Sequence, residues 1–137
     1  MSFDVIEVGM SAQPWTIGPV SRTDIVRYQG ASGDMNPVHH DEPFARGSGF
    51  DAPLGVGMYP AGAMHAWAAG WIGPEHLRRC RTRWKSTYFP GDTLTFTATV
   101  TAKSVDDGRR IVEVETACVN QSGAATMQGW LTFEFDS

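Results

Sequence analysis

The stretch from Met58 to Ile72 restricts the possible folds more than any other part of the sequence, because it is apolar on every side of a helix. One stripe carries Met58, Ala61, Gly62, His65, Ala66 and Ala69, and another carries Met64, Trp67 and Trp71. Such a helix has to be covered all round. Gly73-Pro74 ends it. It is shorter than the roughly 20 residues that a bilayer crossing needs, so a buried helix is expected and a membrane partner is not.

The second half of the chain has the alternation that is typical of strands. It is clearest from Thr93 to Thr101, where apolar residues alternate with threonines. Further strands are expected at Arg78 to Phe89, Ile111 to Asn120 and Ala125 to Phe135, with turns at Asp107-Gly108 and Ser122-Gly123. One covered helix followed by an antiparallel meander predicts an α+β fold in which the sheet wraps round a central helix.

Two short helices are expected in the first half. Ser21 and Asp24 have the spacing of a capping box, which predicts a helix from Arg22 to Ala31. Asp41 is a suitable N-cap for a second short helix from Glu42 to Ala45.

Length and charge limit the classes of protein. The 137 residues contain no repeat or polar linker, so residues 1–137 are expected to form a single domain. The net charge of −4 includes no long basic run, which argues against a nucleic-acid partner. The N-terminal residues do not have the pattern of a secretory signal, so a cytoplasmic location is expected. Cys80 and Cys118 are expected to be buried, reduced thiols in strands.

A carboxylate and an imidazole lie five residues apart at Asp34 and His39. On a regular strand or helix that spacing separates the two side chains, so they can converge only across an irregular loop. Gly33, Asn36 and Pro37 favour such a bend. An Asp beside a His can hold a water and perform general acid and base chemistry. From spacing alone, however, an ordinary turn with a surface or core histidine is the more frequent explanation.

A longer motif around this pair resembles a known family. Residues 28–41, YQGASGDMNPVHHD, resemble the hydratase motif of the MaoC-like and (R)-specific enoyl-CoA hydratases, a family that includes the mycobacterial 3-hydroxyacyl carrier-protein dehydratases. Ala52 to Met58 resembles the family's loop into its central helix, and Phe89 to Leu94 resembles a strand connection. The resemblance implies a single hotdog fold, which is an antiparallel sheet wrapped round a central helix.

The resemblance also implies a reaction. It is the reversible hydration of a trans-2-enoyl thioester of CoA or acyl carrier protein to an (R)-3-hydroxyacyl thioester. Asp34 and His39 would activate the water, while the Gly57 backbone N–H would stabilise the negative thioester oxygen. Asn36 is expected to contact the substrate. No cofactor is implied, and no metal, since the run from His39 to Glu42 has no second ligand cluster.

Two positions depart from the family's pattern. The family usually has a histidine before its Gly-Met pair, and this chain has Val56. Some members carry a serine on the central helix, and His65 could supply that polar contact to the substrate. A lone histidine on an apolar helix is more often a hydrogen-bonded core residue. Without the family, Gly57 could equally be a glycine that helix entry requires for its geometry.

Other functions are possible for a hotdog protein. An acyl-CoA thioesterase usually has a carboxylate on the central helix, and residues 58–72 contain no Asp or Glu. A non-catalytic subunit of a hetero-oligomeric dehydratase would be expected to lack Asp34 or His39. One open sheet edge favours a homodimer, and hetero-assembly stays open.

Basic residues alternate along the expected strand that begins at Arg78. Its expected face carries Arg79, Arg81, Arg83 and Lys85. A solvated face is the plainer explanation. The functional alternative is contact with the phosphates of CoA or phosphopantetheine.

Overall fold

The structure, a computed structural model, describes residues 1–136, so Ser137 of the expected domain lies outside the described residues. Helices α1 to α3 span Arg22–Ser32, Glu42–Gly47 and Met58–Ile72. Strands β1 to β5 span Trp15–Ile17, Leu77–Trp84, Leu94–Asp106, Arg109–Val119 and Ala125–Phe135. Short 3-10 helices lie at Phe3–Val5, Pro37–His39 and Pro74–His76. The strands form one antiparallel sheet in the order β1-β3-β4-β5-β2.

The core lies between the sheet and α3. Alternate residues of β3, namely Leu94, Phe96, Ala98 and Val100, are buried as their spacing predicts. Met64 and Ile72 of α3 are fully buried in the same core. The prediction of an α+β fold with a sheet around a central helix is therefore confirmed.

The capping box at the start of α1 is confirmed, because Ser21 and Asp24 each bond to the other's backbone N–H. Helix α2 continues to Gly47, past the predicted end at Ala45. Sequence patterns did not indicate β1, since three residues are too few to show alternation and their partners lie on distant β3.

Two predicted strand ends were wrong. Strand β3 continues past Thr101 to Asp106, because a bulge after Val100 breaks the apolar alternation without breaking the pairing with β4. Strand β2 ends at Trp84 and not at Phe89. The next two backbone N–H groups, of Lys85 and Ser86, both donate to a single carbonyl on β5 and leave the ladder.

Within the described residues, α3 is not covered on all sides as predicted. The sheet covers one side, and the opposite stripe of Met58, Gly62, Ala66 and Gly70 is exposed. A single sheet layer can cover only one side of a helix. Cys118 is buried as expected, but Cys80 is exposed because it lies on β2 at the edge of the sheet. No helix in residues 1–136 is long and apolar enough to span a membrane.

Candidate active site

Asp34 and His39 converge across the loop between α1 and α2. Gly33 ends α1 in a left-handed conformation, with φ at +76°, which a glycine adopts without strain. Asn36 then caps the 3-10 helix Pro37–His39, because its side-chain Oδ1 accepts the N–H two residues further on. These two turns bring His39 Nε2 to 3.8 Å from Asp34 Oδ2.

The hydrogen bonds of His39 determine which ring nitrogen is free. Its Nδ1 lies 2.8 Å from the carbonyl oxygen of Leu54, and a carbonyl can only accept, so Nδ1 carries the proton. In the neutral imidazole, Nε2 therefore has the lone pair, on the side that faces Asp34. The 3.8 Å separation exceeds a direct hydrogen bond but suits a water that bonds to both groups.

Gln29 organises this loop, a role that sequence reasoning missed. It lies on α1, its side chain is buried, and its Nε2 donates to the carbonyl oxygens of Asp34 and Asn36 at 2.8 and 3.1 Å. Its Oε1 accepts from His40 Nδ1 at 3.0 Å. One signal was available: Gln29 lies four residues after buried Ile25, on the apolar side of α1.

A pocket of about 290 Å³ opens beside His39. Gly57 and Pro60, at the start of α3, line it together with Met127 of β5. Residues 84–88, which follow from the end of β2, form another part of its wall. The imidazole of His39 and the N-terminus of the central helix therefore line the same pocket.

Gly57 stands at the N-terminus of α3, and its N–H has no hydrogen-bond acceptor among residues 1–136. A helix N-terminus carries partial positive charge, so this N–H suits an anionic oxygen. Trp84 explains why the residue is a glycine. Trp84 Nε1 donates to the Gly57 carbonyl at 3.0 Å, and a Cβ added at Gly57 would lie only 2.8 Å from that nitrogen.

Tyr88 packs against the same segment from the other side. Its ring is buried, and it fills the space beside Gly55, where an added Cβ would lie 2.0 Å from a ring carbon. Its hydroxyl donates to the Val56 carbonyl at 3.1 Å. Burial raises the pKa of Tyr88, so the hydroxyl stays protonated near neutral pH. Sequence reasoning missed Tyr88 as well as Trp84.

Comparison with known proteins identifies the family. The model of the MaoC like domain matches residues 7–123, which is most of the chain. The chain belongs to the MaoC-like family. The (R)-specific enoyl-CoA hydratase of Rhodospirillum rubrum is 30% identical over 132 residues, which cover 95% of this chain and 88% of that protein.

Solved structures agree with this membership. The R-hydratase PhaJ1 of Pseudomonas aeruginosa, in its unliganded form, matches with a TM-score of 0.80 and 25% identity, over 98% of this chain and 86% of that one. The ChsH1-ChsH2 complex of Mycobacterium tuberculosis shares the fold, with a TM-score of 0.80 and 24% identity over 94% and 98% of the two chains. The predicted family and the hotdog fold are both confirmed.

In this MaoC-like protein His65 lies apart from the Asp34 and His39 pair. Its Nε2 is 3.1 Å from Thr82 Oγ1 on β2, and it is not among the residues that line the pocket. Burial lowers the pKa of His65, which favours the neutral imidazole. His65 is half-buried, and its contact with the substrate stays a prediction.

The basic residues have two kinds of surroundings. Arg79, Arg81 and Arg83 are exposed on β2, and the Arg81 guanidinium lies 5.3 Å from the centre of the Trp130 ring. Lys85 follows the end of β2 and lines the pocket. Among residues 1–136, no three His, Cys, Asp or Glu side chains are grouped as a metal ion would require.

Proposed function

We propose that this MaoC-like protein catalyses the reversible hydration of a trans-2-enoyl thioester to an (R)-3-hydroxyacyl thioester. The observation that carries the proposal is the approach of Asp34 to within 3.8 Å of His39, whose imidazole lines a pocket together with Gly57. The identity to an (R)-specific enoyl-CoA hydratase supports the class of reaction.

In the hydration direction, a water bonded to both Asp34 and His39 gives up a proton as its oxygen forms a bond to the β-carbon. The π electrons of the carbon-carbon double bond move towards the thioester, which becomes an enolate. The same pair then returns a proton to the α-carbon, so that the elements of one water are added. Both groups contact the water, so the proposal assigns the proton transfer to the pair and not to one of its members.

Negative charge develops on the thioester oxygen during this step. The N–H of Gly57 is available to bond to it at the positive end of α3. A preorganised donor of this kind contributes about 10²- to 10³-fold to a rate. Asn36 supports the site by capping the 3-10 helix that carries His39, and any direct contact of its amide with the substrate belongs to the same proposal.

The thioester would be carried by CoA or by an acyl carrier protein. Lys85 at the pocket and the exposed Arg79 and Arg83 place positive charge where a phosphate of either carrier could bind. We propose that these residues bind the carrier and do not take part in the chemistry.

We propose that the protein functions as a dimer. Strand β2 has an unpaired edge and is mostly exposed on both faces, while α3 exposes its stripe of Met58, Gly62, Ala66 and Gly70 nearby. A second copy would pair the edge and cover the small apolar residues. A different hotdog chain could do the same, and the similar M. tuberculosis structure is a complex of ChsH1 with ChsH2.

The test measures the conjugated absorbance of crotonyl-CoA, and of a longer trans-2-enoyl-CoA, after addition of the purified protein. Loss of absorbance that slows by about 10²- to 10⁴-fold in Asp34→Asn supports the proposal. Asn has the same shape as Asp but cannot take a proton. Release of free CoA thiol would instead show a thioesterase. Unchanged absorbance with these substrates and with enoyl-acyl carrier protein would contradict catalysis by this chain alone.

A further inference from the structure

The N–H of Gly57 and the carbonyl of Val56 belong to one peptide unit. The carbonyl oxygen accepts two hydrogen bonds, one from the Tyr88 hydroxyl and one from the Tyr59 N–H, each at 3.1 Å. Because a peptide is planar, holding the oxygen at one end also fixes the direction of the N–H at the other. The bond from the Tyr88 side chain therefore acts on the orientation of the Gly57 N–H.

The position of Tyr88 leaves its hydroxyl little freedom. The side chain is only 3% exposed, and its ring lies against Gly55 at a distance that excludes even a methyl group there. A carbonyl oxygen can only accept, so the hydroxyl is the donor in the bond to Val56. The bond is buried, and a hydrogen bond in a low-dielectric site is electrostatically stronger than one in water.

A donor on a peptide oxygen also changes the electronics of the same peptide. Hydrogen bonds in a chain polarise one another, so a bond to the Val56 oxygen makes the Gly57 N–H a stronger donor. Trp84 holds the next peptide unit through the Gly57 carbonyl. Two side chains therefore hold the peptides on either side of the Gly57 Cα. Trp84 holds the peptide after it, and Tyr88 holds the peptide before it, which carries the unpaired Gly57 N–H.

We propose that Tyr88 is a positioning residue for the thioester carbonyl. Its hydroxyl orients and polarises the Val56–Gly57 peptide, and the N–H of that peptide binds the thioester oxygen. The inference rests on the hydratase function proposed above. Val56 has no polar side chain to support this segment, and Tyr88 supplies a polar contact from 32 residues further along the chain.

The experiment compares Tyr88→Phe with the wild type and with Tyr28→Phe. Phe keeps the ring against Gly55 and removes only the hydroxyl. Tyr28 belongs to the same apolar cluster, and its hydroxyl has no hydrogen-bond partner among residues 1–136, so its variant is a matched control. The probe is a cinnamoyl-CoA with a para-dimethylamino group, whose absorption moves to longer wavelength when its thioester carbonyl is polarised.

The wild type and Tyr28→Phe are expected to shift the band of the bound probe by the same amount, and Tyr88→Phe to shift it less. In hydration, Tyr88→Phe is expected to lower kcat about tenfold with little change in KM, because the loss falls on the transition state. The shift is measured with the probe fully bound, so that free probe does not contribute to the band, and circular dichroism checks that Tyr88→Phe is folded.

An unchanged shift in Tyr88→Phe would overturn the proposal. So would a raised KM with unchanged kcat, which would show that Tyr88 only shapes the pocket. If the wild type neither hydrates enoyl thioesters nor shifts the band, the proposed function fails and the role of Tyr88 fails with it. If the wild type hydrates and the variant matches it in both measurements, the role of Tyr88 alone fails.

Discussion

The Nδ1 atom of His39 lies 2.8 Å from the carbonyl oxygen of Leu54, which is 15 residues further along the chain. The contact joins the loop after α1 to the segment that leads into α3. It also sets the tautomer of the imidazole, because the carbonyl requires a proton on Nδ1 and leaves Nε2 free to accept one. The loop after α1 supplies His39, and the segment before α3 supplies the carbonyl that orients its ring.

His39→Ala is expected to lower kcat by about 10²- to 10⁴-fold, since the proton acceptor is lost. The side chain is mostly buried and bonds to the Leu54 carbonyl, so the melting temperature is also expected to fall. Enoyl-CoA absorbance measures the rate, and circular dichroism measures the melting. His76, which stacks on Phe135 and does not line the pocket, offers His76→Ala as the control with normal turnover. A His39→Ala enzyme of normal rate would remove His39 from the mechanism.

Gln29→Leu is expected to lower both stability and activity. The substitution keeps the bulk of the side chain but removes its hydrogen bonds to Asp34, Asn36 and His40. Each buried polar group that loses its partner costs about 1–3 kcal/mol, and the carboxylate loop loses its support. Urea unfolding and kcat report the two effects. The same change at exposed Gln13 should alter neither, and an active Gln29→Leu enzyme would show that the loop holds its geometry without Gln29.

Gly55→Ala is expected to lower the free energy of unfolding by about 1–3 kcal/mol, because its methyl group would overlap the Tyr88 ring. The cost should fall in Gly55→Ala combined with Tyr88→Leu, which removes the ring. A double-mutant cycle from urea unfolding is expected to give a coupling energy of about 0.5–3 kcal/mol. If the two substitutions changed the free energy of unfolding additively, the methyl group at position 55 would not overlap the Tyr88 ring.

His65 is expected to make the fold sensitive to acid. Burial holds its pKa below the usual value of 6.5, so below that pH the unfolded chain binds a proton that the folded chain does not. Stability should therefore fall as the pH decreases from 6.5 through the folded-state pKa. His65→Gln cannot titrate in this range and should show a shallower decline in urea unfolding over the same pH window. Equal declines in both proteins would exclude His65 as the cause.

Charge reversal beside the pocket is expected to weaken carrier binding. Lys85→Glu together with Arg83→Glu should raise the KM for enoyl-CoA several-fold and leave kcat unchanged, and the effect should diminish at high salt. Arg109→Glu is a charge-reversal control at the opposite end of the sheet, near the end of β5. If the KM does not change, Arg83 and Lys85 belong to a solvated surface of the sheet and do not bind the carrier.

Local patterns predicted the parts of the site that depend on neighbouring residues. Gly33 and Pro37 indicated the bend that brings Asp34 and His39 together, and the apolar run with its Gly-Pro end predicted α3. Contacts across long separations could not be predicted, since Trp84 and Tyr88 bond to Gly57 and Val56 from 27 and 32 residues away in the chain. The single domain and the cytoplasmic location stay predictions.

The lack of space between Gly55 and the Tyr88 ring determines the order in which the two residues can be replaced. Any side chain at position 55 meets the tyrosine ring, whereas a smaller residue at position 88 leaves Gly55 undisturbed. This steric overlap therefore requires position 88 to change before position 55 does. A mutant library designed to reshape the pocket for other acyl groups should vary position 88 before, or together with, position 55.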